Sequence, residues 1–254
     1  MSVDSDIFDR QKRLDGWNQE KVAAQKVMVV GAGALGNEAV KLLLQLGVRR
    51  ISLVDFDVVS RANLNRCVFF SEEDAATEVL KAEAIAFKAV KQWPDAVVEP
   101  VIESVEKLSE ETWGEFGFVF GCLDNLGARL HANAQSYGKT VFIDGGTSGF
   151  MGKVQVVRSP GPCFECGLSK KDYGLLWKKY NCVGDVVDWI DSKMPALATT
   201  TSLVAAVQVN EFVKIAHGLE NESLAGKYFF FNGMTGQSSV YGVPLRKDCP
   251  IHLH

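Results

Sequence analysis

The chain runs to 254 residues, 47% of them hydrophobic and 23% charged, with a formal net charge of −4. That is enough apolar material for one sizeable core, and it excludes a disordered or fibrous protein. The mildly acidic balance supplies no general pull toward nucleic acid or an anionic membrane surface, which ranks nucleic acid low among partners.

The first residues, MSVDSDIFDRQKRLDGWNQE, lack the apolar stretch of a signal peptide and read as a helical arm over 1–26. No apolar run approaches the ~20 residues needed to span a bilayer, so the expected location is cytoplasmic, with no membrane partner. The β-branched run Val27–Val30 predicts a buried strand, followed by a helix from about Leu35 to Leu46, a strand Ile51–Val54 and a helix from about Thr77 to Gln92. Trp93-Pro94-Asp95 ends that helix. A strand over Ala96–Ile102, a short helix over Ser109–Trp113, a strand over Gly117–Gly121, a helix over Leu126–Tyr137 and a strand over Thr140–Ile143 come next in the chain. This βαβ alternation predicts an α/β fold with a Rossmann-like, mostly parallel sheet.

After Asp144-Gly145-Gly146 the pattern changes. Gly152–Val157, Lys227–Phe231 and Ser238–Gly242 alternate as antiparallel strands do, so the sheet is expected to continue in mixed form. Residues 168–195 are irregular and rich in Lys, Asp, Tyr and Trp, which suits a crossing loop, and a long helix from about Thr200 to Ala216 ends at Gly218. The whole of 1–254 reads as a single domain with a nucleotide-binding half over 27–146 and a second half over 147–254.

Between the first two strands, Gly31, Gly33 and Gly36 stand in the spacing G-x-G-x-x-G. The first glycine permits a tight turn, the second lets backbone approach a phosphate, and the third packs helix against strand. Free N–H groups at the helix start attract anions. Asp55 closes the next strand roughly 20 residues on, where a carboxylate accepts hydrogen bonds from a ribose. Taken alone, this describes a nicotinamide dehydrogenase as well as any other nucleotide-binding βαβ unit.

The residues beyond that strand are more specific. The stretch Asp55-Phe56-Asp57-Val58-Val59-Ser60-Arg61-Ala62-Asn63-Leu64-Asn65-Arg66 resembles the D-x-D-x-V and S-N-L-N-R motifs of the ThiF/MoeB/HesA family, in the ubiquitin-activating enzyme superfamily. The resemblance continues with Asp9-Arg10-Gln11, with Lys81 in the next helix and with Cys122-Leu123-Asp124-Asn125 after a later strand, and it covers Arg10 to Cys249 in order. It implies an adenylation domain that uses ATP and magnesium to activate the C-terminal carboxylate of a ubiquitin-like carrier protein ending in Gly-Gly, with the second half binding the carrier. Arg66 and Lys81 would then stabilise charge on the triphosphate, and Asp124 would hold magnesium and position the carboxylate. Asn63, Asp57 and Asn125 would line the nucleotide site, and Arg10 would reach it from the neighbouring subunit of a homodimer. Residue by residue, the plainer reading is a solvated Arg or Lys and, for Asp124-Asn125, a turn or helix cap.

Cys163 and Cys166 form C-F-E-C, and Cys249 and His252 form C-P-I-H. Two such half-sites suit a tetrahedral zinc with no open position, hence a structural one that staples the chain end to the region after Pro162. The family usually has a second C-x-x-C here, so His252 is a departure, and His254 is a competing ligand. The plainer reading is a group of reduced cysteines near a surface turn. Cys182 approximates the position where many family members carry a sulfur nucleophile, able to take over the acyl group as a thioester. Lys178 and Lys179 would raise its thiolate content, with an inert buried thiol as the equal alternative. Cys67 stands where the family commonly has Gln, and His131 and His217 read as packing or cap residues.

Within the superfamily two other activities fit: adenylation of a peptide, small carboxylate or tRNA-borne group, and a non-catalytic scaffold paired with an active homologue. The complete set Arg10, Asn63, Arg66, Lys81 and Asp124 disfavours the scaffold. A dehydrogenase would leave Arg66, Lys81 and Asp124 without roles.

Overall fold

The computed structural model describes residues 6–168 and 195–252, and one eight-stranded sheet organises them. Two short helices, α1 (Asp9–Lys12) and α2 (Gln19–Ala23), precede β1 (Lys26–Val30), α3 (Ala34–Leu46) and β2 (Arg50–Val54). The chain continues through α4 (Glu72–Ala76), α5 (Lys81–Gln92), β3 (Val97–Val101), β4 (Phe118–Gly121), α6 (Leu126–Ser136) and β5 (Val141–Ser148). It ends with β6 (Met151–Val157), α7 (Ala198–Ala216), β7 (Lys227–Asn232) and β8 (Gln237–Gly242). The strand order is β3-β2-β1-β4-β5-β6-β7-β8, parallel from β3 to β5 and antiparallel from β5 onward. The expected Rossmann-like sheet with an antiparallel continuation is what the chain forms.

The central strands read as unbroken apolar runs because both faces of the sheet are covered. Val27 and Val29 of β1 point into one core with Leu43 and Leu44 of α3, Ile85 of α5 and Phe212 of α7. Met28 and Val30 point into a second core with Trp113, Phe142, Ala128 and Ala132 of α6, and the buried cysteines 163, 166 and 249. Phe212 meets Phe118 edge to face at 4.8 Å, fixing the long α7 against the sheet. His217 caps α7 as expected: its Nδ1 lies 2.8 Å from the Val213 carbonyl, while Nε2 accepts the Asn18 N–H at 3.0 Å.

Three boundaries differ from expectation. The helix predicted from Thr77 begins at Lys81, because Glu78 takes a φ of +51° and Leu80 is extended and bridged to Val58. Ahead of it the unpredicted α4 starts with a capping box in which Asp74 accepts the Ser71 N–H at 2.7 Å. The short helix near Trp113 is a 3-10 segment, Glu111–Glu115. Strand β5 continues past Ile143 to Ser148, because its far half pairs with β6. Apart from its ends, the predicted crossing loop over 168–195 lies outside the described residues. Among the described residues no helix is long and apolar enough to cross a membrane.

Candidate active site and metal centre

Strands β1 and β4 are neighbours, but the chain leaves β1 toward β2 on one side and β4 toward β5 on the other. Their carboxyl ends border the kind of topological switch point where open α/β sheets bind nucleotides. Gly31 turns the chain there with a φ of +97° and donates its N–H to the Val54 carbonyl at 2.8 Å. A Cβ on Gly31 would stand 2.4 Å from the Cys122 carbonyl oxygen, and one on Gly36 would stand 1.9 Å from the Gly31 oxygen. Beside Gly33 the space is open, and no side chain caps the N-terminus of α3 that it begins. Uncapped N–H groups at the start of a long helix are a ready anion site.

The acidic cluster closes around this turn. Asp55 accepts the Ala32 N–H at 2.7 Å and the Asp57 N–H at 2.8 Å. Burial nevertheless holds its carboxyl above the usual aspartate value, against the lowering effect of those N–H groups and of Lys81. Asp57 pairs with the Lys81 ammonium at 2.6 Å, and the Lys81 N–H donates to the Asp57 carbonyl at 2.8 Å. Asn63 is committed locally, its Oδ1 accepting from the Ser60 N–H at 2.9 Å. The half-buried Arg66 folds onto the Ala62 carbonyl and Asn65. The charges of both Arg66 and Lys81 act on Cys67, so the turn, Asp55, Asp57, Arg66 and Lys81 form one neighbourhood.

Asp124 lies exposed just past the carboxyl end of β4, two residues after the Cys122 carbonyl that backs Gly31. Asn125 is the N-cap of α6, accepting the Ala128 N–H at 2.8 Å, so the plainer expectation of a helix cap holds for this residue. Arg10 is not brought to this site. It stands exposed on α1, which is tied to the far end of α3 by a bond from Gln11 Nε2 to the Leu46 carbonyl at 2.9 Å. The 13 residues of α3 put about 20 Å between that end and the glycines. Cys182 and His254 lie outside the described residues.

The four predicted metal ligands converge. The ligand atoms of Cys163, Cys166, Cys249 and His252 all lie within 4.8 Å of one another, the three cysteines buried. Cys163 Sγ is 3.9 Å from Cys166 Sγ and 3.6 Å from Cys249 Sγ. His252 Nε2 is buried with no hydrogen-bond partner. Burial pushes the Cys163 and Cys249 thiols up, Cys249 to about 12. The N–H groups of Cys166 and Ile251 oppose that push, as does the Asn133 side chain beside Cys163. A buried Cys3His group with an orphaned imidazole nitrogen can hold a metal ion.

Several residues that shape this site gave no sequence signal of their own. Buried Asn37 donates to the Ala32 and Gly33 carbonyls at 3.0 and 3.1 Å and accepts the Phe69 N–H at 3.0 Å, bracing the glycine turn. Gln208 of α7 donates to the Gly121 and Ile143 carbonyls at 3.0 and 2.8 Å. The Gly145-Gly146 pair is explained by what crosses it: a Cβ on Gly145 would strike Gln208 at 2.6 Å, and one on Gly146 would crowd Arg129 at 3.1 Å.

Comparison with known proteins agrees with this geometry. The ThiF family model matches residues 8–251. The chain is 28% identical over 259 residues to the SAMP-activating enzyme E1 of Haloferax volcanii, covering 99% of this chain and 91% of that enzyme. SUMO-activating enzyme subunit 2 of Dictyostelium discoideum is 34% identical over 152 residues, which is 58% of this chain and only 22% of that subunit. E. coli MccB, in a structure with ATP, shares the fold at a TM-score of 0.77 and 17% identity over 98% of this chain and 75% of that one. The chain therefore belongs to the ThiF family and is an adenylating enzyme of the E1-like kind.

Proposed function

We propose that this chain adenylates the C-terminal carboxylate of a ubiquitin-like protein ending in Gly-Gly. The observation that carries the substrate class is the nearly end-to-end likeness to the SAMP-activating enzyme, with the SUMO- and NEDD8-activating relatives beside it. In the reaction a carboxylate oxygen attacks the α-phosphorus of ATP, the bond to the β-phosphate breaks, and pyrophosphate leaves. The uncapped start of α3 and the open space beside Gly33 receive phosphate oxygens, and Asp55 accepts from the ribose. Lys81, held by Asp57, and Arg66 stabilise negative charge on the departing pyrophosphate. Asp124 would hold magnesium, which when bound neutralises phosphate charge.

Arg10 acts on the neighbouring subunit's site in a homodimer, a reading supported by its place at the wrong end of α3 to serve its own. The cysteine–histidine group would hold zinc. Zinc–sulfur bonds of about 2.3 Å place tetrahedral sulfurs about 3.8 Å apart, which the 3.6 and 3.9 Å separations match. All four positions would be protein ligands, so this zinc is structural. In a second step of the same proposal the Cys182 thiolate attacks the acyl carbon of the adenylate, the bond to the phosphate oxygen breaks, and AMP leaves as the thioester forms.

ATP–pyrophosphate exchange with and without small Gly-Gly-ending ubiquitin-like proteins tests this reading. Exchange that depends on such a partner, is lost in Asp124→Ala, and comes with one zinc per chain by elemental analysis is the expected result. Exchange stimulated instead by a peptide or small carboxylate would overturn the substrate class, and failure to bind ATP would overturn the chemistry.

A further inference from the structure

The metal cluster and Asp124 stand at opposite ends of α6, and two successive turns of that helix connect them. Arg129, one turn beyond the N-cap Asn125, forks onto the buried Asp144 of β5, with Nε donating to Oδ1 at 3.0 Å and Nη2 bonding Oδ2. Asp144 is 1% exposed, and its Oδ1 lies 2.9 Å from where a Cβ on Gly121 would be, directly behind the end of β4 that leads to Asp124. The guanidinium carbon lies over the Phe164 ring, 4.7 Å from its centre. Phe164 is buried and sits between the cluster cysteines Cys163 and Cys166. One turn further along α6, fully buried Asn133 accepts the Phe164 N–H at 2.8 Å. Helix α6 is thus bolted on one side to the strand behind the nucleotide crevice and on the other to the metal-binding turn.

We propose that Arg129 is a positioning residue: with Phe164 and Asp144 it transmits the geometry of the cysteine–histidine turn along α6 to Asp124. The inference rests on the catalytic reading of Asp124. A partly buried guanidinium, here 19% exposed, that is satisfied by a carboxylate fork and an aromatic face has one low-energy placement, because lysine offers neither the planar fork nor the stacking surface. Displacing a reacting or metal-holding group by about 1 Å can cost on the order of a hundredfold in rate while binding contacts survive. A role confined to fold stability would instead appear as a lower melting point with unchanged kinetics in the folded fraction.

The test compares Arg129→Lys, Cys166→Ser and the double variant in the full chain. Four quantities are read: kcat and KM for ATP in pyrophosphate exchange, zinc content, and amide hydrogen exchange at the start of α6. The expectation for Arg129→Lys is a fall of about ten- to a hundredfold in kcat with KM for ATP within about twofold. Zinc should be retained, and amide exchange should be faster by at least about tenfold in the first turns of α6 and unchanged in α3. Cys166→Ser, which removes one of the four metal ligands, should lower zinc content while giving the same kinetic and amide-exchange pattern, and the double variant should lose no more kcat than the worse single one. Unchanged α6 protection in Arg129→Lys would overturn the proposal, as would acceleration spread evenly over the molecule or multiplying losses in the double variant. An Asp124→Ala control separates the two ideas. If it leaves kcat intact, the catalytic reading fails, while the α6 amides still decide whether Arg129 couples turn and helix.

Discussion

Cys67 neighbours Arg66 and Lys81, two cations that would make an exposed thiol reactive, yet burial outweighs them and pushes its pKa from 9.0 to about 11. At pH 8 such a shift leaves roughly a hundredfold less thiolate than an ordinary cysteine has. Brief treatment of the native enzyme with iodoacetamide at pH 8 should therefore leave Cys67 unmodified by peptide mass analysis, and rapid labelling there would contradict the burial. The linkage has a definite sign. The unfolded chain releases this proton near 9 and the folded chain near 11, so the contribution is full below pH 9 and is lost as pH rises through 11. Between those values wild type should lose melting temperature faster than Cys67→Ala. In the sequence, only its departure from the family pattern keeps Cys67 out of the chemistry; the structure adds the physical ground, an almost wholly buried side chain.

At the scale of elements, the resemblance marks Asp9-Arg10-Gln11 without saying what the glutamine does. Gln11 and Gln19 both donate to the Leu46 carbonyl, at 2.9 and 2.8 Å, and Gln11 also donates to Gln19 Oε1 at 2.6 Å. They satisfy a carbonyl at the end of α3 that the helix itself leaves without a partner, and in doing so they seat the arm that carries Arg10. Gln11→Ala and Gln19→Ala should each cost about 1 kcal/mol in urea unfolding. Because the two share an acceptor, the double variant should cost less than their sum; full additivity would mean that they act separately. The strands and long helices are legible because period-2 and period-3.6 apolar patterns survive where both sheet faces are covered. The break before α5 is not, since it depends on the backbone of Glu78 and on a bridge from Leu80 to the distant Val58. Arg129 and Gln208 are illegible for a similar reason: each answers a partner on another element, Asp144 for one and two strand carbonyls for the other.

At the scale of the molecule, the same chain carries the proposed nucleotide site at one end of α3 and the arm with Arg10 at the other. In a two-fold dimer each site would be completed by the arm of the other chain, so activity would belong to the pair. That arrangement makes a prediction which no single-chain site can satisfy. Arg10→Ala spoils the partner's site and leaves its own intact, whereas Asp124→Ala spoils its own and leaves its arm intact. Each variant alone should be close to inactive in pyrophosphate exchange. Mixing them with time to exchange subunits should restore activity, because one of the two sites in each hybrid combines an intact Asp124 with an intact Arg10. With random pairing half the dimers are hybrids, each with one good site, so about a quarter of wild-type exchange is expected, falling with dilution as the pairs separate. If mixtures stay as inactive as their components while subunit exchange is verified, Arg10 works within its own chain or not at all, and the arm must be read as an anchor for α3 alone.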